Sequence, residues 1–354
     1  MHHCTLAVVV AGLVFGAVSG HAHADCPGSY TKYTYYKPSP LPTADSRCDY
    51  DASGHCTKIE EIGYLYKPPP PPPGQVGQIA GFPLLVFNHG SESDPGPKCS
   101  EGQYFSQKGF VVFVPVRRGH VGSTGMTFAE YTSGLPGVPS SHECSTPGQD
   151  GPCKMEYLHR QETDVQNAIT FVKGLTVGLF GPKLVNADRI AIMGHSFGGI
   201  VTTFSNAKDM GQKVAISIAG ASQSWEGNSS AQTEMIQAVT DAVAPIYFLE
   251  PMNDHSIQPT NVLSQVAGMN CRLFQAALFP ASEVTGDGLI TIDDYKGDWD
   301  NNGTTFDPRD KAHGSFTSSR IDEWSPTVLE FINRYFNHPG KNDSLCIGTS
   351  VGND

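Results

Sequence analysis

The sequence predicts an α/β fold, with a largely parallel central sheet and helices on both of its faces. Three observations carry that expectation. Short, continuously apolar runs such as FVVFVPV and KVAISIAG read as strands buried on both faces. Stretches with helical spacing, such as QETDVQNAITFVKGL, lie between them. The two kinds alternate along most of the chain without an internal repeat. At 354 residues, 39% of them hydrophobic, the chain is long enough for one large domain with a sizeable core or for two small ones. Its formal net charge of −12 argues against a nucleic-acid partner, because phosphate-backbone binding needs a concentrated basic surface.

Residues 1–24 read as a secretory signal. LAVVVAGLVFGAV, from Leu6 to Val18, is apolar but too short for a comfortable membrane span, and Ala22-His23-Ala24 fits a small-x-small cleavage site. The preceding MHHCT lacks the usual Lys or Arg. The expectation is a secreted or periplasmic chain with no stable membrane insertion. Of the 9 cysteines, Cys4 falls in the signal, and the even remainder reads as disulfides in an exported protein. Cys48–Cys56 and Cys144–Cys153 are the easiest local pairings to propose. Neither a CxxC spacing nor a Cys/His cluster suggests a metal site.

The elements follow in order. Residues 25–56, rich in Tyr, Pro, Ser and Cys, read as a disulfide-stapled extension, and the main domain is expected over 57–354. KIEEIGYLYKP and GFPLLVFNHGS read as its first two strands. Six prolines between them cannot donate ladder hydrogen bonds, so that run must leave the sheet as an exposed loop. QYFSQKG reads as a helix, FVVFVPV as a strand, and a helix is expected from Gln161. RIAIMG, KVAISIAG, APIYFLEP and CRLFQAALFP are further strands. WSPTVLEFINRYF closes the pattern as an amphipathic helix. Insertions are expected at about 126–158 and about 281–312, where polar and Gly/Pro-rich stretches break the alternation.

The stretch IAIMGHSFGGIVTTF carries the chemistry. Gly194-His195-Ser196-Phe197-Gly198 is G-x-S-x-G where a strand turns into a helix. Glycines flank the serine because the turn is too tight for side chains there. The turn lifts the Ser196 hydroxyl to a helix N-terminus, where the dipole and free N–H groups favour developing negative charge. A serine hydroxyl needs a base to become a nucleophile. His313, in KAHGSF, lies after the last strand and before the last helix, the position for that base in the order Ser, then acid, then His. Asp254, in the turn after APIYFLEP, is the expected acid. Glu250, which ends that strand before Pro251, is the rival, and Asp293 and Asp294 suit the order but not the location. The oxyanion hole requires two backbone donors. Phe197 follows the nucleophile, and Ser91 lies in the loop NHGSESD with Gly90 permitting its turn. A carboxylate aimed into the hole would repel the oxyanion, so Glu92 is expected to face solvent or a cation.

On VFNHGS, VPVRRGHVGSTG, GHSFGG, EPMNDHSIQP and AHGSF, over roughly residues 58–337, the chain resembles the α/β-hydrolase superfamily. Within it, the chain is similar to dienelactone-hydrolase-like and platelet-activating-factor-acetylhydrolase-like esterases. The resemblance implies a mostly parallel sheet of about eight strands and a Ser196, Asp254, His313 triad. Dienelactone hydrolases proper use a cysteine nucleophile, so Ser196 favours ordinary ester chemistry. RRGHVGSTG resembles an RGxGxS segment of related hydrolases, in which Arg118 either ties loops together or recognises a substrate carboxylate. The insertion at about 126–158 is a possible lid, with Phe128, Tyr131 or Leu135 lining an acyl pocket. EVTGDGLITIDDY departs from a calcium loop at its first and last ligands, and no metal is assigned.

The expectation is therefore a secreted serine hydrolase that cleaves small or lipid-like esters through an acyl-enzyme, without a cofactor. Amide or peptide hydrolysis on the same triad, or a non-catalytic binding protein on a hydrolase fold, are the alternatives.

Overall fold

The computed structural model describes residues 30–36, 49–50, 56–57, 59–70, 81–125, 127–128, 150–179, 181–220, 225, 228–251, 257–269, 274–279 and 321–337. Ten strands appear among them: β1 Tyr30–Tyr36, β2 Asp49–Tyr50, β3 Cys56–Thr57, β4 Glu60–Tyr66, β5 Phe82–Asn88, β6 Val111–Val116, β7 Val185–His195, β8 Val214–Ile218, β9 Ile246–Pro251 and β10 Phe274–Phe279. The helices are α1 Cys99–Gln107, α2 Asp150–Gly174, α3 Phe197–Asn206, α4 Ser229–Thr240, α5 Ile257–Met269 and α6 Ile321–Asn337. Among the described residues, β2 and β3 pair only with each other.

The other strands form one 8-stranded sheet in the order β1-β4-β6-β5-β7-β8-β9-β10. β1 and β4 run antiparallel, and β4 is antiparallel to β6. Every pairing from β6 to β10 is parallel. β5 shows why apolar runs without alternation predict this arrangement. Leu84 and Val86 face one core, and Leu85 and Phe87 face the other. The first core is closed by α2, α3, α4 and α5, with Leu158, Val165, Ile169 and Val172 as the apolar stripe of α2. The second is closed by α1 and α6, where Trp324, Val328, Phe331 and Ile332 recur at helical spacing. Burying a side chain the size of Phe331 is worth about 1.5–3 kcal/mol, so α6 is held mainly by this stripe.

Two expectations are corrected. Residues 30–36 are not part of an appended stretch: they form the edge strand of the main sheet. Period-two placement explains it. Tyr33 and Tyr35 meet Phe171 of α2, with Tyr35 stacked at 4.7 Å between ring centroids. Tyr30 turns to the opposite face and meets Tyr64 edge-on at 5.2 Å. The second correction concerns α2, which starts at Asp150 rather than Gln161, so the end of the expected lid stretch is helix. The signal and the insertion at about 281–312 lie outside the described residues. Cys99 is disulfide-bonded, and no other cysteine has its side chain among those described. Among the described residues, no helix is long and apolar enough to cross a membrane.

Candidate active site

β7 ends at His195, Ser196 makes the turn, and α3 starts at Phe197. Ser196 has φ 56° and ψ −125°, a conformation that a non-glycine residue adopts at a cost of about 1–3 kcal/mol. Its neighbours hold it there. The Ser196 N–H donates to the Ile218 carbonyl of β8 at 2.8 Å, and its own carbonyl accepts from Gly199 at 2.8 Å. The flanking glycines are required by close approach. A Cβ on Gly194 would lie 2.2 Å from the Gly198 carbonyl oxygen, and a Cβ on Gly198 would lie 2.1 Å from the Asn88 carbonyl oxygen. The second contact shows that the first turn of α3 rests directly on the loop that follows β5.

That loop, residues 88–91, forms the facing wall. A Cβ on Gly90 would sit 3.5 Å from the Ser196 Cβ, an ordinary packing distance, and 2.5 Å from Glu92 Oε2, the movable end of a flexible side chain, so the loop lies directly against the turn. Glu92 is paired with Lys98 and so meets a cation, as expected. Asn88 ties the base of the loop to α3, its Nδ2 donating to Thr202 Oγ1 at 2.9 Å. Behind the loop stands Arg117, fully buried. Its Nη2 donates to the carbonyls of His89 at 2.6 Å and Gly90 at 3.0 Å, and its Nε donates to Gln161 Oε1 at 2.6 Å. His89 Nε2 accepts from the Arg117 backbone N–H at 3.2 Å, which assigns the ring proton to Nδ1, 2.9 Å from the Gly90 carbonyl. Burial, and then the charge of Arg117, hold the His89 imidazole neutral. His120 stacks edge-on against it at 4.4 Å and is likewise pushed down to about 4, chiefly by burial.

A second buried charge lies next to Arg117. Arg118 donates through its Nε to both carboxylate oxygens of Asp164, at 2.9 and 3.0 Å, through its backbone N–H at 3.0 Å, and through Nη2. Against the desolvation of full burial, Arg118 keeps the Asp164 carboxyl below its ordinary range. Glu61 of β4 shares this pocket. Burial and then the Asp164 charge push its pKa well up.

No protein-family model matches the sequence, and neither does any curated protein. Solved structures do. The acylaminoacyl peptidase of Pyrococcus horikoshii is similar over 87% of this chain at a TM-score of 0.50 and 15% identity, with 42% of the peptidase covered. An acetyl xylan esterase from Paenibacillus is similar over 72% of this chain and 84% of its own, at 0.45 and 16%. Est1E of Butyrivibrio proteoclasticus, solved with ferulic acid, covers 64% of this chain and 88% of its own, at 0.42 and 14%. This chain thus spans less than half the length of the Pyrococcus peptidase. At these identities the likeness is one of fold. The chain has an α/β-hydrolase fold.

Within the α/β-hydrolase fold, Ser196 and Phe197 stand at the turn after β7, and Ser91 stands on the loop packed against it. Glu250 is buried at the end of β9, where its Oε2 accepts from Thr260 Oγ1 of α5 at 2.7 Å. Phe128 is 36% exposed, with its ring 5.4 Å from that of Tyr157. Asp254, His313, Tyr131 and Leu135 lie outside the described residues. Arg118 corrects one expectation. Buried and bound to Asp164, its guanidinium ties the segment that follows β6 to α2 and is not presented to a substrate carboxylate. Sequence reasoning passed over Arg117, His89, Gln161, Asp164 and Glu61. One signal was available: Gln161, Asp164 and Ala168 fall at i, i+3 and i+7, which puts two polar residues on the buried face of an amphipathic helix.

Proposed function

We propose that this protein is a serine hydrolase that cleaves carboxylic esters. The observation that carries the reading is the strained backbone of Ser196 at the turn between β7 and α3, with Gly90 packed against it. Strain of this kind persists where the surrounding structure over-determines it, and it clusters at reactive positions. In the proposed reaction the Ser196 Oγ attacks the ester carbonyl while His313 takes its proton. Asp254 holds the imidazole in the right tautomer. The N–H groups of Phe197 and Ser91 stabilise the oxyanion. The alcohol leaves with the proton from His313, and water activated by His313 then releases the acid. A cleaved signal over 1–24, export, and a lid stapled by Cys144–Cys153 complete the proposal.

The test is labelling of the purified protein with a fluorophosphonate, followed by turnover of p-nitrophenyl esters of graded acyl length and of peptide anilides. Ester turnover with stoichiometric labelling at Ser196 supports the reading. Faster anilide turnover replaces it with the peptidase alternative, and inertness to the probe leaves a binding protein on a hydrolase fold. The acid is tested separately. Asp254→Asn is expected to lower kcat by about 10³–10⁴ with little change in KM, the size of a wrong-tautomer defect. The same loss in Glu250→Gln, with a mild Asp254→Asn, moves the role to Glu250.

A further inference from the structure

Arg117 is a fully buried cation whose Nη2 contacts bear on the wall opposite Ser196. Nη2 binds the two successive carbonyls of His89 and Gly90, at 2.6 and 3.0 Å. Nε is anchored to Gln161 of α2 at 2.6 Å. The guanidinium carbon also lies 5.8 Å from the ring centroid of Phe197, the residue after the nucleophile. One side chain therefore contacts both segments that carry the proposed oxyanion donors. A trans peptide unit is planar, with its C=O and N–H pointing in opposite directions. Holding the His89 and Gly90 carbonyls toward Arg117 therefore turns the N–H groups of Gly90 and Ser91 away from it.

Among the described residues, no acidic side chain binds the Arg117 guanidinium directly. The nearby Asp164 is engaged by Arg118. A buried charge served by carbonyls and an amide is expensive to keep, and an apolar residue would fill the same space more cheaply. Neutral His89 reinforces the arrangement, since its Nδ1 shares the Gly90 carbonyl with Arg117.

We infer that Arg117 is a positioning residue for oxyanion stabilisation: it fixes the peptide planes of 89–91 and the Phe197 flank so that the Ser91 and Phe197 N–H groups converge beside Ser196. The inference rests on the serine-hydrolase reading. Arg117 touches no substrate atom. It acts through the orientation of two backbone dipoles that must be in place before charge develops.

The test uses an ester substrate and a trifluoromethyl ketone of the same acyl chain, which adds to a serine hydroxyl and forms an oxyanion. Arg117→Met is expected to lower kcat by about 10²–10³, the size of a lost oxyanion donor, with KM within about threefold, and to weaken the ketone by a comparable factor. Gln161→Met removes only the anchor and is expected to show a smaller change of the same kind, which keeps the inference testable if Arg117→Met does not fold. Arg117→Lys restores charge without the two-carbonyl fork and should recover only part of the loss. Ketone affinity that stays at the wild-type value in the folded fraction, for either methionine variant, overturns the positioning role. A wild-type protein that neither hydrolyses esters nor reacts with a fluorophosphonate overturns the hydrolase reading itself, and the inference with it.

Discussion

The loop that bears Ser91 and the turn that bears Ser196 pack against each other, yet they are held in unlike ways. The turn is held by backbone. Ser196 sits at φ 56°, its N–H is bound across to β8, and glycines stand where any Cβ would strike a carbonyl. The loop is held by buried charge, with Arg117 on two carbonyls and Arg118 bound to Asp164 beside it. Backbone restraint is stiff and short-ranged. Buried charge reaches further and depends on every partner remaining in place. The two walls should therefore fail differently when they are cut.

The largest effect is expected at the turn. Ser196→Ala and Ser196→Gly should each lower esterase kcat/KM by about 10⁴–10⁶, because the proposed nucleophile is gone. Their stabilities should part. Glycine adopts positive φ freely, so Ser196→Gly is expected to be about 1–2 kcal/mol more stable than Ser196→Ala in urea unfolding. Equal midpoints would mean that this wall stores no strain.

Next comes the charged wall. Asp164→Asn removes the carboxylate charge that the Arg118 guanidinium binds, and a loss of about 3–5 kcal/mol is expected. Replacing both partners with apolar residues, Arg118→Met with Asp164→Leu, should recover much of that loss. A double variant as unstable as the single one would show that packing rather than charge balance dominates there.

Gly198→Ala probes the contact between the walls. The new methyl would meet the carbonyls of Asn88 and His89, at 2.1 and 2.4 Å, and must push them back. A destabilisation of about 1–3 kcal/mol is expected, with a lower kcat as the Ser91 loop moves. Unchanged kcat would separate the loop from the chemistry.

The same contrast explains what the sequence made legible. The turn was readable because its requirements lie within five consecutive residues, Gly194 to Gly198, between an apolar strand and a helix. The sheet was readable because strands buried on both faces are continuously apolar. β1 was missed because YTKYTYY is an edge strand whose Tyr rings look irregular until Phe171 and Tyr64 are beside them. The charged wall was missed because its pairs are remote in sequence: Arg117 lies 28 residues from His89, and Arg118 lies 46 from Asp164. Only the fold brings those side chains together, and the local pattern around Arg118 favours loop-tying while leaving substrate binding open.

The smallest expected effect sharpens the contrast between buried and exposed charge on α2. His159 lies five residues before Asp164 on the same helix but is 42% exposed. It bonds Glu162 on its own helix and, at 2.6 Å, Glu234 on α4. Its pKa is raised to about 8, chiefly by the Glu162 hydrogen bond against the opposing effect of burial, with Glu234 adding to the rise. A folded-state pKa above the ordinary 6.5 means that the protonated form is bound more tightly in the folded chain. The stabilisation is therefore complete below about pH 6.5 and is lost as pH rises through about 8. Solvent screening limits it to about 1 kcal/mol or less. His159→Gln should flatten the fall in melting temperature between pH 6.5 and 8.5 and leave the Arg118–Asp164 pair untouched. Salt near 1 M, where the Debye length is about 3 Å, should remove the His159 contribution while sparing most of the buried pair. A pH slope that survives in His159→Gln, or a salt response equal for both pairs, would place the titrating group elsewhere.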